Sequence, residues 1–407
     1  VESLISGAVP TGDDRVTTGL IHHPYEAPAG FAAPQPAVHK ASTVIFPNVA
    51  AMRTRDWRHK QGYTYGLHGT PTTFLLEERL ASLEGGTRCL LVPSGLAAIA
   101  NVSLALLKSG DEVLIPLNAY GPNKALSEGE LAAWGITHQF YDPLDVADLA
   151  RRIGDRTRLV WLEVPGSVTM EFADLPALVA ACRARGVTTA LDNTWGAGLA
   201  FQPFDAGVDI SVHALTKYPS GGGDVLMGSV ITRDAALHER LQLTHMRLGW
   251  GVGANDAEAI LRSLPSMALR YRAHDQSARQ LARWLQSRPE VAQVLHPALE
   301  GSPGHAHWRA LCAGDGGEGL AAGLFSIILD ARYAQAQVDR FCDGLRLFKL
   351  GYSWGGPMSL VVPYELAGMR GGWPAHVANG TLVRFSIGLE HVDDLRLDLD
   401  QALGHLR

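Results

Sequence analysis

CLLVPSGLAAIANVSLALLKSG, residues 89–110, places a short apolar run against a turn and then a longer helical pattern. CLLVP (89–93) has the length and composition of a buried strand, and GLAAIANVSLALLKSG (95–110) reads as a helix closed by Gly110. The couplet returns along the chain. EVLIP (112–116) and RLVWLEVP (158–165) read as strands, and DLPALVAACRARG (174–186) as a helix ending at Gly186. VTTALDN (187–193), VDISVHA (208–214) and VLMGSVIT (225–232) are further strands. Near-continuous apolar strands alternating with helices imply an α/β fold, with a mostly parallel sheet covered on both faces.

Upstream, TTFLLEERLASLEG (72–85) predicts an amphipathic helix with Phe74, Leu75, Leu80 and Leu83 on one face. The first sixty or so residues are irregular and rich in Pro and His (HHPYEAPAGFAAPQPAVHK), so they are expected to lie across another surface. Near residue 255 the texture changes to long helical stretches. LFSIILD (324–330), LVRFSIGLE (382–390) and the helix DDLRLDLDQALGHL (393–406) then suggest a smaller C-terminal αβ domain. The boundaries fall at 1–65, 66–258 and 259–407.

The 407 residues are 46% hydrophobic and 19% charged, which fits a soluble globular protein of two or three domains. A net charge of −6 without a Lys/Arg block argues against a nucleic-acid surface. No apolar stretch is long enough to cross a bilayer, and VESLISGAVPTGDD lacks the basic start and apolar centre of a secretory signal. Cys89, Cys182, Cys312 and Cys342 are scattered, so no zinc site or disulfide framework is suggested and reduced thiols in the cytoplasm are expected. His305 and His307 lack companion ligands and read as a polar loop.

Ligands of parallel α/β sheets collect at the carboxyl ends of the strands. Ser94-Gly95, Tyr120, Asp192 and Lys217 all follow expected strand ends. Their types suit pyridoxal phosphate: a lysine for the Schiff base, an acid for the pyridinium nitrogen, and a helix N-terminus for the phosphate. Each has an ordinary alternative. Glycine before a helix is commonplace, aspartates cap helices, and most lysines are solvated. The glycines at 221–223, beside Lys217, would let a planar cofactor approach the backbone. GWGVGA (249–254) fits a dinucleotide fingerprint, but the stretch before it reads as helix rather than strand, so it is rejected.

From about Thr18 to Glu390 the chain resembles the pyridoxal-phosphate enzymes of cysteine and methionine metabolism, the transsulfuration family. The carriers are YTYGLHGTPTTFLLEERLASLEGG, VPSGLAAIA, NAYGPNK, EVPGSVTM, LDNTWGAG, HALTKY, FKLGYSWGGPMSLVVP and LVRFSIGLE. GYSWGG with EVPGSVTM looks like the β-lyase branch, γ-acting relatives usually carrying leucine where Trp354 stands. The resemblance implies the aspartate-aminotransferase-like fold (fold type I) and a homotetramer built of two dimers with shared active sites, the 1–65 segment contacting a neighbouring subunit. It implies that Lys217 forms the Schiff base, that Asp192 pairs with the ring nitrogen, and that Tyr120 stacks on the ring. Gly95, Leu96 and Thr216 would hold the phosphate, joined by Tyr65 from a neighbouring subunit. Arg384 would grip the substrate carboxylate, helped by Ser353 and the backbone near Trp354.

The implied reaction is β-elimination at the Cβ–S bond of cystathionine or a related cysteine S-conjugate, giving a thiol, pyruvate and ammonia. A γ-acting relative, or a binding protein that keeps the fold without catalysis, stays open. Two positions depart from the pattern. Leu67 stands where relatives usually carry a phosphate-binding arginine, for which His68 or another basic group is expected to compensate. Ala214 stands where many have serine.

Overall fold

The computed structural model describes residues 13–25, 27–31, 33–60, 62–314 and 317–406; the first twelve residues, most of the stretch read for a secretory signal, lie outside them. Seven strands form the larger sheet: β1 (Arg88–Val92), β2 (Glu112–Pro116), β3 (Thr137–Tyr141), β4 (Thr157–Glu163), β5 (Thr188–Asp192), β6 (Ile210–Ala214) and β7 (Gly228–Thr232). Their order is β1-β7-β6-β5-β4-β2-β3, and only β7 runs against the rest. A second sheet holds β8 (Val291–Leu295), β9 (Leu324–Asp330), β10 (Lys349–Leu350), β11 (Leu360–Tyr364) and β12 (Gly380–Ser386), in the order β10-β11-β12-β9-β8.

Local chemistry sets the helix starts. Thr70, Ser94, Asp174 and Asp234 each accept a backbone N–H in the first turn of the helix that follows, and proline enters the first turn after Thr70 and after Asp174. One face of the large sheet, carrying Val92, Ile115, Trp161, Ala190 and Val212, packs on the Gly95–Leu106 helix and on Leu241 of the Ala235–Leu248 helix. The other face shares a core with Leu76, Leu178 and Tyr271, which extends into Leu324 and Leu382 of the smaller sheet. A third apolar cluster lies between the smaller sheet and the Met267–Gln286, Gln335–Asp343 and Val392–Leu403 helices.

The structure departs from the sequence reading in places, each with a local cause. The helix from Gly95 stops at Leu106 rather than Gly110, because Leu107 is extended and Asp111 ties Lys108 into a separate turn, its carboxylate accepting the Lys108 N–H. The Pro71–Leu83 helix is buried on more than the expected face: Leu76 and Leu80 are fully buried, while Phe74 and Leu75 are only half-buried. Strand β3 (THQFY) is missing from the sequence reading because it is an edge strand whose first three residues, Thr137, His138 and Gln139, are polar in succession and break the alternation that marks a strand. VLMGSVIT pairs only from Gly228 onward. Within the supposedly irregular N-terminal segment Asp13–Ile21 is a helix lying against the start of the Met267–Gln286 helix. His305 and His307 belong to a one-turn helix, not a loop, and no three metal-ligating side chains converge among the described residues. GWGVGA follows the Ala235–Leu248 helix, with Gly249 as its left-handed cap, which removes the strand a dinucleotide turn requires.

Candidate active site

At the carboxyl ends of β4, β5 and β6, facing the smaller sheet, lies a cavity of about 490 Å³. Gly95, Leu96, Tyr120, Asp192, Thr216, Lys217, Ser353, Trp354 and Arg384 all line it, although they are spread over 290 positions, from 95 to 384.

Lys217 sits three residues beyond Ala214, the last residue of β6, and its main-chain N–H donates to Ala214 O. Its Nζ donates to Ser353 Oγ at 3.1 Å and stands 5.5 Å from the centre of the Trp354 ring. Burial, with Arg384 nearby, pulls the amine down to about 8, against a smaller opposing pull from Asp192. Asp192 ends β5 and accepts both the N–H and the hydroxyl of Thr194. Burial raises its carboxyl, while those two donors, His213 and Lys217 oppose the rise.

Arg384 comes from the middle of β12 and is only 8% exposed. Its Nη2 donates to Ser353 O at 3.3 Å, its guanidinium lies over Tyr364, and its buried Nε has no partner among the described residues. A surface ion pair is therefore excluded as its role. An unpaired buried donor calls for an anionic ligand, because leaving it unmet costs about 1–3 kcal/mol. Trp354 meets both the core Tyr218 ring and the Lys217 amine. Tyr352, 83% exposed, is no core aromatic.

The Gly95–Leu106 helix also begins at the cavity wall. Ser94 takes the N–H groups of Ala97 and Ala98 with its hydroxyl and carbonyl, leaving the first two, on Gly95 and Leu96, without an intrahelical acceptor. A Cβ on Gly95 would fall 2.6 Å from the Ala214 Cβ, so only glycine fits there. Such a helix start suits a phosphate. A helix start suited to a phosphate, a buried acid, a desolvated lysine and an unpaired guanidinium lining one cavity fit pyridoxal phosphate with an amino-acid substrate.

Two expectations come out differently, for the glycines beside Lys217 and for His68. Gly221, Gly222 and Gly223 do not line the cavity; Gly221, at φ +65°, makes room for the Arg270 guanidinium, which a Cβ would strike at 2.2 Å. Tyr65 lies outside the cavity of its own chain and is 47% exposed. His68 packs against Trp57, and burial together with His245 lowers its pKa, which disfavours the charged form that replacing an arginine requires.

The sequence reading overlooked Glu163, Met170, Tyr364 and Met369, which also line the cavity. Glu163 was legible in principle: it opens EVPGSVTM and ends β4 as Asp192 ends β5. In the loop that follows, Val168 and Met170 hold φ of +71° and +58°. That conformation is costly for side chains. The Ser326 hydroxyl fixes it by donating to Val168 O, and Glu171 fixes it by accepting from Arg370, His376, Thr169 and Asn118.

A sequence model of the family described as Cys/Met metabolism PLP-dependent enzymes matches residues 17–404. The chain is 36% identical to the cystathionine β-lyase of Escherichia coli K12, over 97% of this chain and 99% of that one. It is 40% identical to the cystathionine β-lyase of Bordetella avium, over 89% and 90%. The crystal structure of cystathionine γ-synthase from Xanthomonas oryzae pv. oryzae superposes with a TM-score of 0.85 at 30% identity, covering 98% of this chain and 99% of that one.

Proposed function

The chain belongs to the pyridoxal-phosphate-dependent enzymes of cysteine and methionine metabolism, and we propose that within them it is a cystathionine β-lyase. It would cleave the Cβ–S bond of cystathionine or a related cysteine S-conjugate, yielding a thiol (homocysteine from cystathionine), pyruvate and ammonia. The observation that carries this reading is one cavity lined by a desolvated lysine amine, a buried aspartate and an arginine with a free donor.

Bound there, pyridoxal phosphate supplies an electrophilic aldehyde and, with its ring nitrogen protonated, an electron sink for the pair left at Cα. Gly95, Leu96 and Thr216 would hold the phosphate, and Asp192 the ring nitrogen, whose positive charge would return that carboxyl to its anionic form. Tyr120 would cover the ring. Arg384 and Ser353 would hold the substrate carboxylate and so orient the Cα–H bond toward Lys217. Lys217 Nζ would take the proton from Cα and deliver one to the departing sulfur. Ser353 Oγ, already bonded to that amine, keeps it directed into the cavity.

The likeness to a γ-synthase supports a second reading, a γ-acting lyase or synthase. Purified protein incubated with cystathionine distinguishes them: pyruvate is expected, and 2-oxobutyrate would overturn the β-lyase assignment. Lys217→Ala should abolish pyruvate release.

On the same reading, residues 66–258 form the cofactor-binding domain and 259–407 the smaller C-terminal domain. The 1–65 segment would reach a neighbouring subunit, with Tyr65 serving that subunit's phosphate, in a homotetramer of two dimers. Exposed Phe31, Ile45, Val49, Met52 and Tyr63 support this, since they form an apolar series along one strip of chain. Four free cysteines accord with a cytoplasmic location.

A further inference from the structure

Glu163 ends β4 and Asp192 ends β5, and the two are directly paired in the parallel register. Side chains opposite one another on neighbouring strands share a face, so two carboxyl groups arrive side by side at the floor of the cavity. Asp192 is matched to the cofactor nitrogen. Glu163 has no such partner, yet it lines the same cavity. Its Oε2 accepts the Tyr120 N–H at 2.7 Å, and its Oε1 lies 2.6 Å from Ser167 Oγ.

Tyr120 is the ring expected over the cofactor, and its own backbone is held by little else. It caps the short Gly121–Leu126 helix without a side-chain bond, and its carbonyl is taken up by Asn123 and Lys124. The Glu163 carboxyl is the acceptor for its N–H. We propose that Glu163 is a positioning residue for the reaction: it pins Tyr120 over the cofactor through the Tyr120 N–H and serves as the proton-holding member of the Glu163–Asp192 pair, with Ser167 orienting its carboxyl. The inference rests on the family reading of the cavity and deepens it.

The surroundings agree on which member holds the proton. Burial and Asp192 raise the Glu163 carboxyl well above the usual carboxylate range, against smaller pulls from Ser167, Tyr120 and Arg370. Two adjacent buried carboxylates do not both ionise readily, and the one beside cationic groups keeps its charge. Asp192 has Lys217 and, on the family reading, would have the cofactor nitrogen. Glu163 faces Asp192 from β5, the Tyr120 and Tyr141 phenols, and the more distant Arg370. A neutral Glu163 can still accept from Tyr120 on Oε2 while its Oε1–H donates to Ser167 Oγ, so neither bond is lost.

The test reads cofactor binding and colour instead of turnover. Glu163→Gln keeps an acceptor for Tyr120 and a donor for Ser167, so the dissociation constant for pyridoxal phosphate should stay within about threefold. The pH midpoint of the bound cofactor's absorbance change should also move little. Glu163→Ala should weaken cofactor binding about tenfold, as expected for the loss of a buried hydrogen bond. It should also reduce the induced circular dichroism of the bound cofactor. An alanine variant with unchanged affinity and dichroism would overturn the positioning role. A glutamine variant that moves the absorbance midpoint by about a unit or more would show that Glu163 acts as an anion, and would overturn the proton assignment. If the alanine variant does not fold, Ser167→Ala replaces it: about threefold weaker binding is expected, and no change refutes the idea. A protein that passes these tests and fails to release pyruvate would keep this inference and lose the β-lyase reading.

Discussion

A lysine amine in water holds its proton up to about pH 10.4, whereas burial with Arg384 nearby brings Lys217 to about 8. Only the neutral amine attacks an aldehyde. The rate at which apoprotein captures pyridoxal phosphate should therefore rise as pH passes through about 8 and level off above it; a midpoint near the free-lysine value would show that Lys217 is solvated. The same shift affects folding. Because the native state releases this proton more readily than the unfolded chain, the charged amine costs stability below pH 8, and stability from this group grows between about 8 and the unfolded value. Arg384 offers a planar fork whose Nε is unpaired. Arg384→Lys should raise KM for the amino-acid substrate at least about tenfold, since a point charge cannot replace two parallel donors. A KM within twofold of the parent's would refute its role toward the carboxylate.

Elements meet at the cavity through a clamp that no single element contains. Arg370, from the Leu366–Arg370 helix, and His376 both bond Glu171, which follows the strained Val168–Met170 turn. Burial alone would raise the Glu171 carboxyl, but the His376 bond, the Arg370 charge, Thr169 and Asn118 bring it down to about 2. A carboxyl lowered in this way stabilises the fold above its unfolded value, near 4, and the contribution is lost as pH falls toward 2. Glu171→Ala leaves the nearly buried Arg370 unpaired and should cost about 3 kcal/mol of stability. The measurement is a denaturant titration at pH 7, where a change below about 0.5 kcal/mol would mean the clamp contributes little. Met369, held by Lys124 through its carbonyl, lines the cavity, so a loosened clamp should also raise KM.

At the scale of the whole molecule, one chain supplies the lysine, the acid and the arginine, but among its cavity-lining residues no cation stands at the phosphate end. Lys217 and Arg384 are committed elsewhere. The exposed apolar strip around Ile45 and Tyr63 and the outlying Tyr65 support completion of each site by a second copy. Dilution that separates subunits should therefore lower cofactor affinity along with activity. Sedimentation and cofactor fluorescence recorded over one concentration series would test this, and full affinity in a separated subunit would refute shared sites.

What the sequence by itself determined is the fold class and the four strand-end groups, Lys217 among them. Strand and helix periodicities are local, and the carboxyl ends of parallel strands converge by rule. Asp192 and Lys217 were legible because their chemistry names one cofactor. Glu163 was legible as a strand-end acid but not in its role, which has no meaning until the register sets it beside Asp192. The glycines at 221–223 misled for the same reason: proximity to Lys217 in sequence says nothing of Arg270, which comes from a distant helix to occupy the space Gly221 leaves. Only the tertiary structure decided which groups share the cavity and which charges oppose, since burial and charge pairing depend on neighbours remote along the chain.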